Sequence, residues 1–228
     1  MNQENHPIVG FCKVPHNIGQ LPVLEFANGS FKSPDTVDLR DYCTRTEDQG
    51  STPMCAAYTA AGFAENILWR KNDVPQQIDP VPLYKFAKQI DGDPNGDGTT
   101  LVAVCDALLN KGYFNKNICK TQIIQFGAEA KIRYAIHKFG CCLGAFNITR
   151  EWYDCNRENA VITGRTKNDS EGGHAVLICG YTRDWVVIQN SWGEDWGSYG
   201  FGFITWEAFR KQFLYAAVIS NALDGLKI

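Results

Sequence analysis

Apolar residues recur at helical spacing in the first half of the chain and in short runs in the second half. Stretches with the length and the three-to-four-residue apolar spacing of helices lie at 53–70, 82–90, 100–111 and 128–139. Gly112 and Gly140 directly follow the last two stretches, and glycine is a common helix terminator. The pattern predicts a mainly helical segment that ends near residue 139.

From Gly140 onward, the apolar runs are short and are separated by Gly, Asn and Asp. They read CCLGAFN, HAVLICGY, WVVIQN, GFGFI and LYAAVIS, and such runs are typical of strands in an antiparallel sheet or barrel. Helices followed by strands predict an α+β protein with a helical N-terminal lobe and an antiparallel, barrel-like C-terminal lobe. A ligand cleft is expected between the two lobes.

Residues 1–33 show no clear periodicity and no convincing long helix, so we expect an extended leader there. The folded domain is expected to span 34–220, helical over about 34–139 and mainly β over about 140–220, with 221–228 as a tail. The leader contains the apolar stretches HPIVGFCKV and LPVLEFANGSF, which can bind a protein surface. We expect the leader either to cross the cleft as a strap or to pack against the back of the fold.

Composition and charge argue against several classes of function. The chain has 228 residues, is 44% hydrophobic and carries a formal net charge of −3 with scattered Lys and Arg, so no nucleic-acid partner is expected. No apolar run reaches the roughly 18 residues of a membrane helix, and the N-terminus MNQENHPIVG lacks the pattern of a signal peptide. We expect a cytoplasmic monomer without a membrane partner; a secreted protein with its leader removed is the alternative.

The nine cysteines are many for a cytosolic chain, but their number is odd and no CxxC pair occurs. At least one thiol therefore lies outside any intrachain disulfide. Cys141 and Cys142 are predicted to point to opposite faces of a strand, and Cys179 lies in the apolar run AVLIC. Buried, reduced cysteine is the favoured interpretation, and the lack of paired ligands gives no support to a zinc site.

The stretch DQGSTPMCAAYTAAG, residues 48–62, places one cysteine at the head of an alanine-rich helix. Thr52 is a good N-cap residue and Pro53 suits the first helical position, so Cys55 is expected in the first turn. Unpaired backbone N–H groups and the positive end of the helix dipole stabilise a thiolate there. Cys55 is thus a candidate nucleophile, and a buried structural cysteine is the alternative.

The segment EGGHAVLICGYTRDWVVIQNSWG consists of two strand-like runs around the turn-like residues 182–184. If the strands pair symmetrically about residue 182, His174 faces Asn190. An asparagine in that position accepts the imidazole N–H, fixes the ring and leaves the other ring nitrogen to pair with a thiolate. A structural strand histidine is the alternative interpretation.

Four segments resemble the papain-like cysteine peptidases, in the same order along the chain. They are VDLR at 37–40, DQGS at 48–51 followed by Cys55, then GGHAVLICGY, and QNSWGEDWGSYGFGFI. Gln49 lies six residues before Cys55, and Asn190 lies sixteen residues after His174, as is common in that family. The resemblance covers roughly residues 34–220 and rests on the Cys-His-Asn arrangement.

The chain departs from the family pattern at two points. The family's CGSCW motif is replaced by TPMCA, so Thr52 and Ala56 stand where a disulfide cysteine and a tryptophan are usual. His174 follows Cys55 by 119 residues, short of the roughly 130–150 that are typical, so loops between them are expected to be trimmed. Both changes bear on substrate preference and secretion, and neither alters a reacting group.

The resemblance implies the papain-like two-lobed fold and a cysteine peptidase that needs no cofactor. It implies a Cys55–His174 ion pair, in which the Cys55 sulfur attacks a carbonyl of a peptide or protein substrate and forms an acyl-enzyme. Gln49 is expected to donate a hydrogen bond to the oxyanion. Trp192 is expected to cover the hydrogen bond between Asn190 and His174. The substrate-binding residues that the resemblance implies are Gly98, Thr99, Gly173, Ala145 and Trp192.

Relatives in this family are commonly made with an inhibitory N-terminal segment, which favours intramolecular inhibition by residues 1–33. Cys12 on such a strap is then expected to approach Cys55. Two other functions stay open: a thiol acyltransferase or amidase with the same triad, and a non-catalytic scaffold that binds peptides.

The stretch DGDPNGDGTT imitates part of a calcium-binding loop. The matching positions are Asp91, Asp93, Asn95, Gly96 and Asp97. Val102 stands where such a loop requires a bidentate glutamate, so an ordinary surface turn is the favoured interpretation.

Overall fold

The computed structural model describes residues 11–25, 32–125, 129–165 and 170–225. Its helices are α1 (Cys55–Asn72), α2 (Pro80–Ile90), α3 (Leu101–Asn110), α4 (Glu129–Phe139), α5 (Trp206–Gln212) and α6 (Ala222–Gly225). Its strands are β1 (Cys12–Lys13), β2 (Val37–Asp38), β3 (Thr99–Thr100), β4 (Lys120–Ile124), β5 (Cys142–Thr149), β6 (Val161–Ile162), β7 (Ser170–Tyr181), β8 (Trp185–Gln189), β9 (Phe201–Thr205) and β10 (Phe213–Ser220).

A large sheet forms the core of the C-terminal lobe. Its strand order is β4-β10-β5-β7-β8-β9-β6, and β2 pairs with β7 beside this path. Neighbouring strands run antiparallel, except for β6 and β9, which are parallel. The predicted α+β class, with helices first and an antiparallel sheet second, is confirmed.

Strand β7 lies inside the sheet and contributes side chains to apolar clusters on both faces. Ala175 and Leu177 pack into the cluster that contains α1, whereas Val176 packs into the cluster that contains α4 and α5. Side chains alternate along a strand, so a strand covered on both faces has a continuous apolar sequence. Cys141 and Cys142 divide between the same two clusters, as predicted.

Helix α1 is the central helix of the N-terminal lobe and packs against β7. Ala57, Ala60 and Ala61 have no exposed surface, and such small side chains let helix and strand approach closely. The helix ends with Asp73 in the left-handed conformation, at φ 56°. The nucleophile candidate is therefore carried by the most deeply buried helix of the lobe.

The start of α1 differs from the prediction. Met54 is the N-cap residue, and Cys55 is the first residue of the helix, so it lies in the first turn as predicted. Thr52 does not cap the helix because its hydroxyl donates to the Gln49 carbonyl at 2.6 Å and closes the preceding turn. The N-cap prediction for Thr52 was wrong, but Cys55 still lies at the helix N-terminus.

The hairpin of β7 and β8 does not have the predicted register. Its turn is closed by the Thr182 N–H donating to the Trp185 carbonyl at 2.8 Å, one residue further along the chain than expected. Leu177 pairs with Gln189, and a register shift follows before Gly180. His174 is therefore not directly opposite Asn190, and the two side chains meet diagonally across the pair.

The leader crosses the N-terminal lobe and ends on the edge of the sheet. Strand β1 pairs in parallel with β3, and the Thr99 N–H donates to the Phe11 carbonyl at 3.1 Å. Further along, Val23 forms a bridge with Ile123 of β4, and Leu24 is buried. Residues 12–13 thus pair with β3 and Val23 pairs with the edge strand β4, while a strap that closes the cleft stays a prediction.

Candidate active site

Cys55 lies at the N-terminal end of α1, where backbone N–H groups point toward its side chain. Only 1% of the residue is exposed. Burial raises the pKa of the Cys55 thiol to about 11, against the lowering effect of the Ala175 and Ala56 N–H groups. The N–H groups favour the thiolate, but the desolvation of the buried sulfur has the larger effect, so the predicted stabilisation of the thiolate is not present in this structure.

His174 is held by Asn190 through one nitrogen of its ring. His174 Nε2 lies 2.8 Å from Asn190 Oδ1, which also accepts the Ser191 N–H at 2.8 Å. The amide oxygen is an acceptor, so the Nε2 position carries the proton. His174 Nδ1 is buried and has no hydrogen-bond partner within the described part of the chain. This nitrogen is the one free to exchange a proton with Cys55, whose sulfur lies against the N–H of the next residue, Ala175.

The indole ring of Trp192 lies against the imidazole of His174, next to the hydrogen bond to Asn190. Its ring centroid lies 4.7 Å from that of His174, and the planes are inclined by 32°. Tyr153 stacks on the other side of the indole at 5.3 Å, so the tryptophan is itself fixed. The indole shields the bond between His174 and Asn190 from solvent.

Burial also acts on the charge of the histidine. It lowers the pKa of His174 to about 4, although the hydrogen bond to Asn190 raises that pKa. With the pKa of Cys55 near 11, both groups are neutral at pH 7 in this state. The ion pair implied by the resemblance stays a prediction for an uncovered cleft.

Gln49 is buried at the turn that leads into α1. Its Nε2 donates to the Thr52 carbonyl at 2.9 Å, and its Oε1 accepts from Ser191 Oγ at 2.6 Å. Its backbone N–H donates to the Ser191 carbonyl at 2.9 Å. The segment after Asn190 thus positions Gln49, and sequence reasoning missed this role of Ser191.

The leader backbone lies against two glycines beside these residues. The carbonyl of Phe11 lies where a Cβ on Gly98 would be, and the carbonyl of Cys12 lies 2.2 Å from a Cβ built on Gly173. Gly98 also has φ +71°, a conformation that favours glycine. Both glycines therefore admit an extended chain where a larger residue would exclude it.

The predicted substrate-binding residues have different surroundings. Gly98, Thr99 and Gly173 contact the leader backbone, whereas Ala145 is fully buried in β5 opposite Ala175. Their contacts with a substrate stay predictions.

The Cys12 side chain is buried close to Cys55. Burial is the larger cause that raises the pKa of the Cys12 thiol, and the electrostatic interaction with Cys55 is the smaller one. The expected approach of Cys12 to Cys55 is thus present in the covered cleft.

Tyr215 is a second residue that sequence reasoning missed. Its hydroxyl donates to the Lys13 carbonyl at 2.9 Å and accepts the Leu101 N–H at 2.8 Å. The alternation of LYAAVIS predicted only that this residue lies in a strand.

The stretch that imitates a calcium loop has a cation of its own. Lys88 Nζ donates to Asp91 Oδ2 at 2.7 Å, to the Asp93 carbonyl at 2.5 Å and to the Gly98 carbonyl at 2.8 Å. An ammonium group therefore satisfies oxygens that a metal ion would use, which supports the interpretation as a turn. No group of three or more His, Cys, Asp or Glu side chains that fits a metal ion occurs among the described residues.

A thiol at a helix N-terminus, an imidazole held by an asparagine, and a glutamine amide on the preceding turn define a Cys-His-Asn site. The chain belongs to the papain family of cysteine proteases, whose family model matches residues 84–212. The matched residues include His174 and Asn190 but not Cys55 or Gln49, so those two assignments rest on geometry and spacing.

Similar proteins agree with this family. Cathepsin K of Mus musculus is 24% identical over 208 residues, and a cysteine protease of Blomia tropicalis is 24% identical over 203 residues. Each alignment covers 75% of this chain, but only 59% and 61% of the respective relative. The chain thus spans about three fifths of the length of these relatives.

Solved structures show the same fold. Xylellain, a cysteine protease from Xylella fastidiosa, has a TM-score of 0.74 at 18% identity, covering 96% of this chain and 98% of that one. Digestive procathepsin L 3 of Tenebrio molitor has a TM-score of 0.73 at 16% identity, covering 93% and 76%. Within the described residues, none of the helices has the length and hydropathy needed to cross a membrane.

Proposed function

We propose that the protein hydrolyses peptide bonds with Cys55 as the nucleophile and His174 as the proton carrier. The observation that carries this proposal is the buried, unpartnered Nδ1 of a histidine whose other nitrogen is fixed by Asn190. The adjacent N–H of Ala175 reaches the Cys55 sulfur, so thiol and imidazole lie in one cleft.

The reaction follows from these positions. Transfer of the thiol proton to His174 Nδ1 produces a thiolate, which attacks the peptide carbonyl and forms a C–S bond. Gln49 Nε2 and the Cys55 backbone N–H donate to the tetrahedral oxyanion. His174 then protonates the leaving amine, and it later takes a proton from the water that hydrolyses the acyl-enzyme.

Residues 11–13 are proposed to inhibit this activity by occupying the cleft. Their backbone contacts Gly98, Thr99 and Gly173, and the buried Cys12 side chain lies close enough to Cys55 to interact with it electrostatically. The likeness to procathepsin structures supports an inhibitory segment within the chain. The cytoplasmic location expected from the sequence has no support from the cathepsin relatives, which favour the secreted alternative.

Cys55→Ala tests the proposal. The variant should lose cleavage of a mixed peptide library by at least about 1000-fold, because the remaining groups cannot form an acyl-enzyme. Fragments are quantified by mass spectrometry, which also reports transfer to added amines and thereby separates hydrolysis from acyl transfer.

Cys105→Ala is the matched control, because Cys105 is equally buried but lies on α3 and plays no part in the mechanism. It should retain cleavage. Equal cleavage by wild type and Cys55→Ala would reject Cys55 as the nucleophile, and no cleavage by wild type from which the leader has been cut off and separated would favour the scaffold alternative.

A further inference from the structure

Lys13 fixes the leader in the cleft through both its backbone and its side chain. Its carbonyl accepts from the Tyr215 hydroxyl at 2.9 Å, and its ammonium group forms an ion pair with the Asp93 carboxylate. Asp93 belongs to the turn between α2 and β3, and β3 pairs with the leader. A cationic side chain of an extended segment is thus bound by an acidic group at the edge of the cleft.

The turn around Asp93 is organised so that this carboxylate is left for an external cation. Lys88, in the last turn of α2, bonds to Asp91 and to the carbonyls of Asp93 and Gly98 but not to the Asp93 carboxylate. Asp93 Oδ1 accepts the Gly96 N–H at 3.1 Å, which fixes the carboxylate within the turn. Its Oδ2 is directed to Lys13, and that contact lowers the pKa of the Asp93 carboxyl.

The path of the leader is one that another extended peptide can take. Phe11 and Cys12 lie against Gly98 and Gly173, where the absence of side chains makes room for a backbone, and the Thr99 N–H donates to it. Cys12 lies beside Cys55, so the path passes the nucleophile. The bond from the Gly96 N–H to Asp93 does not involve the leader, so Asp93 has a support in the turn that is independent of Lys13.

We propose that Asp93 is a specificity-determining residue that selects substrates with a lysine or arginine side chain at the subsite that Lys13 occupies. This inference rests on the proposed peptidase function. The ion pair is partly exposed, with 31% and 49% of the two side chains accessible. A selectivity of about fivefold, weakened by salt, is the size expected for such a pair.

The test is a competition assay on the full-length chain. Pairs of peptides that differ only in lysine or norleucine at one position are mixed in equal amounts, and the position is moved across four residues on each side of the cleaved bond. Both peptides compete for the same enzyme in one tube, so the ratio of their kcat/KM values does not depend on how often the leader uncovers the cleft. Fragments are quantified by mass spectrometry.

Wild type should prefer lysine about fivefold at one position, and Asp93→Asn should reduce that ratio to about one. Asp97→Asn is the matched control because it removes the same charge from the same turn, and it should keep the preference. Raising the salt concentration should reduce the wild-type ratio but leave the Asp93→Asn ratio unchanged.

A lysine preference that survives in Asp93→Asn, or cleavage without any lysine preference, overturns this inference and leaves the proposed function standing. Equal cleavage by Cys55→Ala, or no cleavage of any pair by wild type even after the leader has been cut off and separated, overturns the peptidase proposal and this inference with it.

Discussion

Gln49 fixes the turn before α1 and also offers a donor to the cleft. One hydrogen of its Nε2 is engaged by the Thr52 carbonyl, and Ser191 Oγ orients the amide by donating to its oxygen. A primary amide has two such hydrogens, so one remains for an oxyanion. The turn that replaces the predicted cap of α1 thereby orients this donor.

Gln49→Ala should reduce kcat by about 100-fold with little change in KM, because an oxyanion donor acts mainly in the transition state. Steady-state kinetics on one peptide, for wild type and variant, measure both constants.

Ser191→Ala separates donation from positioning. It removes the hydrogen bond to Gln49 Oε1 but leaves the Nε2 donor, so its loss in kcat should be much smaller. Equal losses in the two variants would show that Gln49 acts by holding the turn and not by donating to the oxyanion.

The reacting residues were accessible to sequence reasoning because their spacing is characteristic. The catalytic roles of Cys55, His174, Asn190 and Gln49 remain proposals, but the four residues were all predicted from this spacing. Ser191 and Tyr215 were not, because their contacts join segments far apart in the chain, at Gln49 and at Lys13. No local pattern of apolar and polar residues encodes such a contact.

Helix α1 is joined to its neighbours by a buried carboxyl group. Glu65, 2% exposed, accepts the Ile78 N–H at 2.7 Å and the hydroxyl of Thr44. These bonds join α1 to the chain before it and to the segment that leads into α2. Burial raises the pKa of Glu65 from its ordinary 4.5 to about 7, in spite of both hydrogen bonds.

Because the folded state binds the Glu65 proton more tightly, wild type should lose stability as pH rises. The contribution is fully present below pH 4.5 and is lost through about pH 7, with a limit of about 3 kcal/mol in the free energy of unfolding. Urea unfolding at several pH values between 4 and 8 measures this loss.

Glu65→Gln is neutral throughout that range, so its free energy of unfolding should be less dependent on pH and should exceed that of wild type near pH 8. Parallel pH dependences in wild type and Glu65→Gln would exclude Glu65 as the cause.

The elements that sequence reasoning found were those with a strong local pattern. Helices α2, α3 and α4 were predicted to within two residues, but β4 and α5 were not predicted. The sequence of β4, KTQII, is half polar, and its strand conformation depends on pairing with β10. Helix α5 has only seven residues, too few for a helical repeat to be distinguished. The hairpin register was predicted wrongly because the extra residue of a β-bulge does not show in the alternation of apolar and polar residues.

At the scale of the whole molecule, the leader connects the cleft to the far edge of the sheet. Residues 11–13 lie between Gly98 and Gly173, while Leu24 is buried beside β4. The sequence predicted an extended leader, but the apolar residues of the leader did not show which part lies beside Gly98 and Gly173 and which part lies beside β4. A cut on the C-terminal side of both sites removes the covalent link between the leader and the folded domain but leaves the contact residues in the cleft unchanged.

A protease site introduced between Glu25 and Lys32 provides that cut. After cleavage, the leader is held only by noncovalent contacts, so activity per molecule should rise several-fold on dilution. A peptide with the sequence of residues 1–25 should suppress it again. Peptide hydrolysis across a range of enzyme concentrations measures the effect.

The uncut protein with the same insertion is the control, and its activity per molecule should not vary with dilution. If a cut protein from which the leader has been separated hydrolyses peptides no faster than the uncut one, the leader has a structural role only.

The covered state of Cys55 also affects how long the protein keeps its reactivity. Oxidants and alkylating agents attack the thiolate, and here the sulfur is 1% exposed with a pKa near 11, so little thiolate forms at neutral pH. A nucleophile exposed from the start is open to conversion into sulfinic acid, which is irreversible for most proteins. A leader that covers the cleft, as proposed, therefore also protects the Cys55 thiol from oxidation until the cleft opens.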